Sequence, residues 1–240
     1  MTTEWRRRFM QGSGLAKYRW RFNESSGPFS DSGNSGSPAP MSAVGNAAGG
    51  ATALFGHSTC LSLTANGTGT DGARASGIAL NLTQPFSVAW ACNLAALSGS
   101  ISVPVWELSD HTGNNLVQFF WNWSQGTCYI VTITGSTTVV TAQPGYPVIG
   151  SSITAAVSFT PAGSGNYTTT WWTNGINRIS ATTALGTILA SATAFSVVAG
   201  YYSGGGFTSR SGDRFSEFRL YNFALNDTQA AAINAESIVS

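Results

Sequence analysis

Along most of the chain, apolar and polar residues alternate in short runs, and each run ends in a cluster of Gly, Pro, Asn or Ser. A period of two places every second side chain on one face of a strand. The pattern predicts strands over 16–22, 59–63, 86–93, 103–109, 116–123, 127–134, 152–159, 167–173, 194–199 and 214–221. Many short strands at close intervals point to a sandwich of antiparallel sheets rather than to βαβ units. Two turns carry their own mechanism. Asn174-Gly175 suits the two positive φ values of a type I′ hairpin, and Gly163-Ser164-Gly165-Asn166 joins another strand to its partner. The stretch 28–53 has no period and is rich in Gly, Ser, Ala and Pro, so it reads as a long surface loop. Near the end, Asn226 followed three residues later by Gln229 and an alanine-rich run to Ala235 predicts a capped helix.

Composition changes this picture in one respect. Only 9% of the 240 residues are charged, against about 25% in ordinary domains. The surface is therefore built from Ser, Thr, Asn and Gly, and a net charge of +1 provides no field to attract nucleic acid. At this length one all-β domain is expected, occupying 15–240, preceded by a polar arm over 1–14. The arm holds the one basic cluster, Arg6, Arg7 and Arg8, between Trp5 and Phe9. Four residues apart, the two aromatics share one side of a helical turn, which makes the arm a docking device. Its arginines are followed by no apolar h-region, so it does not read as a signal peptide, and no stretch reads as a membrane span. Synthesis in a cytoplasm is expected. Cys60, Cys92 and Cys128 are widely spaced within strand-like runs and read as buried reduced thiols.

Four pieces in order resemble the concanavalin A-like jelly rolls of the laminin-G type. They are Tyr18 to Glu24 with Asp31-Ser32-Gly33-Asn34, then Cys60 to Leu63 leading to Pro85-Phe86-Ser87-Val88-Ala89-Trp90. The third is Trp172-Thr173-Asn174-Gly175. The fourth and most specific is Phe215-Ser216-Glu217-Phe218-Arg219-Leu220-Tyr221-Asn222-Phe223-Ala224-Leu225, similar to the family's penultimate signature. The resemblance implies a two-sheet antiparallel jelly roll with a short C-terminal helix. It also implies a Ca²⁺ ligand at Asp31, with a second at a position where this chain has Ser216, a loss that weakens a hard-cation site. Asp31 otherwise reads as an Asx turn.

Catalysis finds little support. Glycan hydrolysis needs two carboxyls on one surface. Glu107 and Asp110 lie three apart, on opposite sides of a strand, and read as a charged strand end running into a turn. His57 and His111 belong to no triad spacing. Phe119, Trp121 and Trp123 share one strand face and read as sheet core; Trp171 and Trp172 point to opposite faces. Tyr201, Tyr202 and Phe207, set among glycines, are the candidate glycan contacts.

The resulting expectation is a non-enzymatic protein. Low charge and the aromatic arm point to a bacteriophage virion component, a capsid-decorating or tail-associated protein. Trp5, Arg6, Arg7, Arg8 and Phe9 would anchor it to neighbouring virion proteins or to copies of itself. The alternative is a lectin-like module for host surface polysaccharide. Neither reading involves nucleic acid, membrane or an obligatory cofactor.

Overall fold

A computed structural model describes residues 16–55, 57, 59–64, 71–95, 102–122, 127–143, 150–198 and 212–239. Fifteen strands and one helix follow one another in these segments. The strands are β1 (Tyr18–Trp20), β2 (Met41–Val44), β3 (Ala47–Thr52), β4 (Thr59–Leu63), β5 (Gly72–Asn81), β6 (Phe86–Asn93), β7 (Ser102–Ser109), β8 (Asn115–Asn122), β9 (Thr127–Thr134) and β10 (Thr137–Gln143). Then come β11 (Ser152–Gly163), β12 (Asn166–Thr173), β13 (Ile176–Ala184), β14 (Ser191–Val197), β15 (Arg214–Tyr221) and α1 (Asp227–Val239). They form two antiparallel sheets. One has eight strands, ordered β13-β12-β11-β6-β15-β4-β3 with β1 also paired to β15; the other has seven, ordered β10-β9-β8-β7-β14-β5-β2.

The inward halves of the alternating strands make one core. Trp90 on β6 meets Phe119 on β8 at 5.3 Å and Trp171 on β12 at 5.7 Å between ring centroids. Trp20 stacks on Phe195 across the sheets at 5.4 Å. Such rings each bury a large apolar area and interlock by stacked or edge contacts, which fixes how the two sheets sit on one another. Phe119 and Trp121 belong to this core, while Trp123 lies outside the described residues. Trp172, one residue beyond Trp171, faces the other way and is buried with Ala156, Ala230 and Ile233 beneath α1.

The expected turns form as read. Asn174 and Gly175 have φ of 51° and 73°, and Gly163, Ser164 and Gly165 are all at positive φ between β11 and β12. At the helix start, Asn226 Oδ1 accepts from the Gln229 amide at 2.9 Å, and Gln229 Oε1 accepts from the Asn226 amide at 3.0 Å. That is the reciprocal capping box. The helix continues past Ala235 to Val239 because Glu236 and Ser237 are held by the sheet.

The structure departs from the sequence reading most in one stretch. Residues 28–53 are not a plain loop: β2 edges the seven-stranded sheet by pairing with β5, and β3 pairs with β4. Gly49 on β3 shows why its composition misleads, since a Cβ there would lie 2.5 Å from the Glu24 carbonyl oxygen. Small residues are what let two backbones approach this closely. Strands β5, β10 and β13 were likewise not anticipated.

On the outer face of the eight-stranded sheet lies a buried ion network. Arg219 donates from Nη2 to Glu217 Oε2 at 2.6 Å and from Nη1 to Glu236 Oε2 at 2.9 Å. Arg19 on β1 binds Glu217 Oε1 through Nε and Glu236 Oε1 through Nη2 at 2.8 Å. Ser237 Oγ donates to Glu217 Oε2 at 3.3 Å. These bonds tie β1, β15 and α1 together, and Trp172 Nε1 donating to Asp227 Oδ1 at 2.7 Å fixes the other end of the helix.

Candidate functional site

The outer face of the seven-stranded sheet carries a polar row of a different kind. On β8, Val117, Phe119 and Trp121 point into the core, so Leu116, Gln118 and Phe120 point away from it. Strand register continues the row sideways. Ser42 pairs with Arg74, Arg74 with Ser196, Ser196 with Glu107, Glu107 with Gln118 and Gln118 with Val131. Directly opposed residues share a face, so these side chains stand side by side across six strands. Ser196, Glu107 and Gln118 are at most 1% exposed.

Gln118 Nε2 donates to Glu107 Oε2 at 3.2 Å. Gln118 Oε1, Ser196 Oγ and Ser109 Oγ, the last two residues along β7 from Glu107, are buried without a hydrogen-bond partner. Each such group forfeits the hydration it would have in water and so marks a place where the polar chemistry is not there for stability. Beside the row, Phe120 and its cross-strand partner Tyr129 stack at 5.2 Å with planes 13° apart. Leu116, Val131 and Ile133 complete this apolar shelf, and Tyr129 is its half-buried member.

Two backbone irregularities adjoin the row. Strand β7 is bulged between Pro104 and Trp106 where it meets β8. At the end of β14, Val198 sits at φ 62° and donates its amide to the Val105 carbonyl at 3.2 Å. A β-branched residue in the left-handed region is strained, and strain of this type collects where binding or catalysis is built.

The residues singled out from sequence fall variously. Trp5, Arg6, Arg7, Arg8, Phe9, Tyr201, Tyr202 and Phe207 lie outside the described residues. Asp31 accepts the amides of Arg19 at 2.9 Å and Gly33 at 2.8 Å on Oδ1, and that of Ala39 at 3.1 Å on Oδ2. Three of the roughly four acceptor positions of its carboxylate are thereby used, the one taken by Gly33 in the Asx turn, which leaves a poor donor set for a hard cation. Ser216, in the place of the second ligand, is fully buried with its hydroxyl unpartnered. Among the described residues no group of three His, Cys, Asp or Glu side chains could hold a metal.

Asp110 is the turn residue that the sequence suggests. Burial opposes its ionisation, but bonds from Thr112 and Asn115 outweigh this and hold its carboxyl below the ordinary range. Glu107 corrects the reading of a charged strand end, because it lies in the middle of the buried row. Sequence reasoning read the aromatic face of β8 as core, which it is, and passed over the opposite one; the alternation of Leu116, Gln118 and Phe120 was the signal available. His57 is buried with Nε2 unpartnered, and His111 sits at φ 72° in the β7–β8 turn.

No protein-family model matches the sequence, and no curated protein does. Solved structures do. The botulinum neurotoxin serotype G binding domain aligns with a TM-score of 0.64 at 10% identity, over 92% of this chain and 51% of that one. The type C neurotoxin, whose cell entry depends upon interaction with two ganglioside molecules, gives 0.62 at 9% over 94% and 52%. The Trypanosoma rangeli sialidase in complex with 2,3-difluorosialic acid gives 0.62 at 13% over 92% and 33%. The chain thus spans about half the length of the toxin domains and a third of the sialidase. What is shared at such identities is the fold, a two-sheet antiparallel jelly-roll sandwich.

Proposed function

We propose that this domain is a non-catalytic, lectin-like carbohydrate-binding module whose sugar contact centres on Tyr129, the half-buried member of the shelf on the outer face of β7, β8 and β9. The observation that carries the reading is the stacked Phe120–Tyr129 pair beside Gln118 and Glu107. A partly exposed ring held in place by a stacked neighbour and a fixed polar row suits a sugar: its C–H face packs on Tyr129, while Phe120 and the buried Gln118–Glu107 pair behind it set the position of the ring. The toxin and sialidase neighbours support this reading, since two of them are described with a ganglioside or a sialic acid derivative. They favour surface polysaccharide as the partner over the virion reading, whose anchoring residues Trp5 to Phe9 lie outside the described residues.

Hydrolysis is a poorer fit. Glu107 is the one carboxylate in the cross-strand row, and its charged companion Arg74 stands two strands away. Glycoside cleavage calls for a second carboxyl facing the first across about 5 to 10 Å.

The test is retention on a panel of immobilised glycans. The wild-type chain is expected to be retained by at least one, and Tyr129→Ala or Gln118→Ala should weaken that binding about tenfold, the loss of roughly 1.4 kcal/mol. Retention by no glycan, or retention unchanged in both variants, overturns the proposal. Incubation with the retained glycan should release no reducing ends.

A further inference from the structure

Among the described residues, the ion network under α1 holds one more guanidinium than carboxylate. Arg19 and Arg219 together engage all four carboxylate oxygens of Glu217 and Glu236. Arg21 is the third guanidinium, and its contacts are the long ones: Nη2 to Glu236 Oε1 at 3.5 Å and Nε to Glu217 Oε1 at 3.8 Å. Three arginines against two glutamates leave one positive charge in excess among the described residues of the network. It lies at the solvent edge, since the Arg21 side chain is 36% exposed while those of Arg19 and Arg219 are 7% and 1%.

A second observation points the same way. Arg21 Nε, Arg219 Nε and His57 Nε2 are all buried without a hydrogen-bond partner, and His57 as a whole is only 5% exposed. His57 belongs to the same neighbourhood. Two residues after it, Thr59 Oγ1 donates to the Phe22 carbonyl at 2.9 Å, which brings the start of β4 against the residue that follows Arg21. The imidazole also feels the charges of Glu217 and all three arginines. A surplus charge at the rim and unpartnered nitrogens in the same neighbourhood are the groups an oxyanion would engage.

We propose that Arg21, backed by Arg219 and His57, binds a single oxyanion group, a sulfate or a carboxylate. Guanidinium is suited to this because its planar fork offers paired donors to paired oxygens and is weakly hydrated for a cation. Excess positive charge against a low-dielectric wall adds a long-range attraction. The site lies on the opposite sheet from the sugar-facing surface, so the proposal stands whether or not that surface binds a sugar.

The experiment compares thermal unfolding in sodium sulfate and sodium chloride at matched ionic strength, in wild type, Arg21→Gln and Arg21→Lys. A ligand that binds only the folded chain raises the midpoint in a saturable way, here expected as a rise of about 3 °C. Arg21→Gln should abolish the saturable part, and Arg21→Lys should retain some of it through its charge. The general stabilising effect of sulfate on any protein does not saturate and is indifferent to Arg21. An equal response in wild type and Arg21→Gln therefore means an adventitious ion only and overturns the proposal.

Calorimetric titration of the wild type with sulfate, glucuronate and glucose provides a measurement that no variant can confound. Heat from glucuronate with glucose silent identifies an anion carried on a sugar, whereas heat from sulfate alone identifies a free oxyanion. A flat response to both anions overturns the site.

Discussion

Glu217 and Arg219, two residues apart on β15, form an ion pair at 2.6 Å with both side chains 1% exposed. Alternate residues of a strand share a face, so an acid and a base at this spacing stand side by side without any help from the rest of the fold. What the fold adds is enclosure: Arg19 arrives from β1 and Glu236 from α1, and each closes a hydrogen bond that water would otherwise supply. The Phe215–Leu225 segment thereby acts as a socket for the strand and the helix farthest apart in the chain.

Breaking this pair should be costly. Glu217→Gln or Arg219→Met leaves the remaining charge buried and uncompensated, a loss of about 3 to 5 kcal/mol. Urea unfolding should show a lowered midpoint for each. Replacing both partners by apolar residues of similar volume should cost less than the two single losses added together, because no orphan charge remains. A double variant as unstable as that sum would count against burial as the origin of the effect.

Acid should destabilise the domain in two stages. Burial raises the pKa of Glu217, but Arg219 and then Arg19 outweigh it and bring it from 4.5 down to about 2. A depressed carboxyl contributes stability above its unfolded pKa, and this is lost as pH falls from about 4.5 through 2. His57 is lowered from 6.5, by burial first, with Glu217 opposing. In the unfolded chain it takes a proton below about pH 6.5 that the folded chain refuses, so stability also declines on that side. Unfolding free energy should therefore fall steadily from pH 7 to pH 3, and His57→Phe should flatten the portion between pH 6.5 and 5.

Asn226→Ala removes the side-chain acceptor of the capping box and is expected to cost about 1 kcal/mol, seen as a fall of about 2 to 4 °C in thermal midpoint. Near-UV signals from Trp172, whose indole nitrogen bonds Asp227 in the first helical turn, should change with it.

Gly175→Ala should be worse than its size suggests. Gly175 sits at φ 73°, and a Cβ there would come within 3.0 Å of the Ala231 Cα. Backbone strain and a push against α1 act together, so the loss should exceed about 1 kcal/mol. An unchanged midpoint would mean that the β12–β13 turn does not support the helix.

All three cysteines are buried thiols outside any disulfide. Burial pushes the Cys60 thiol up to about 11 and the Cys128 thiol well above its ordinary value. Thiolate is the reactive form, so a thiol reagent at pH 8 should leave the native protein untouched and count three thiols after denaturation.

Alternation and turn chemistry along the chain were enough for the all-β architecture, most strands to within one or two residues, both hairpin turns and the helix cap. These rest on local physics: a period of two, residues that tolerate positive φ, and side chains that reach their own backbone. The sequence could not reveal β2 and β3, since a Gly- and Ala-rich stretch has little strand propensity and becomes strand only because neighbouring backbones sit close enough to need small residues. The Phe119 face of β8 read as core from its aromatic row, and Phe119 and Trp121 are core. What the opposite face, with Gln118 and Phe120, stands beside is decided only by strand order and register. The same holds for Glu107. Its row, from Arg74 through Ser196 to Gln118, draws on strands up to 122 positions apart in the chain, and such a juxtaposition exists only once strand order and register are fixed.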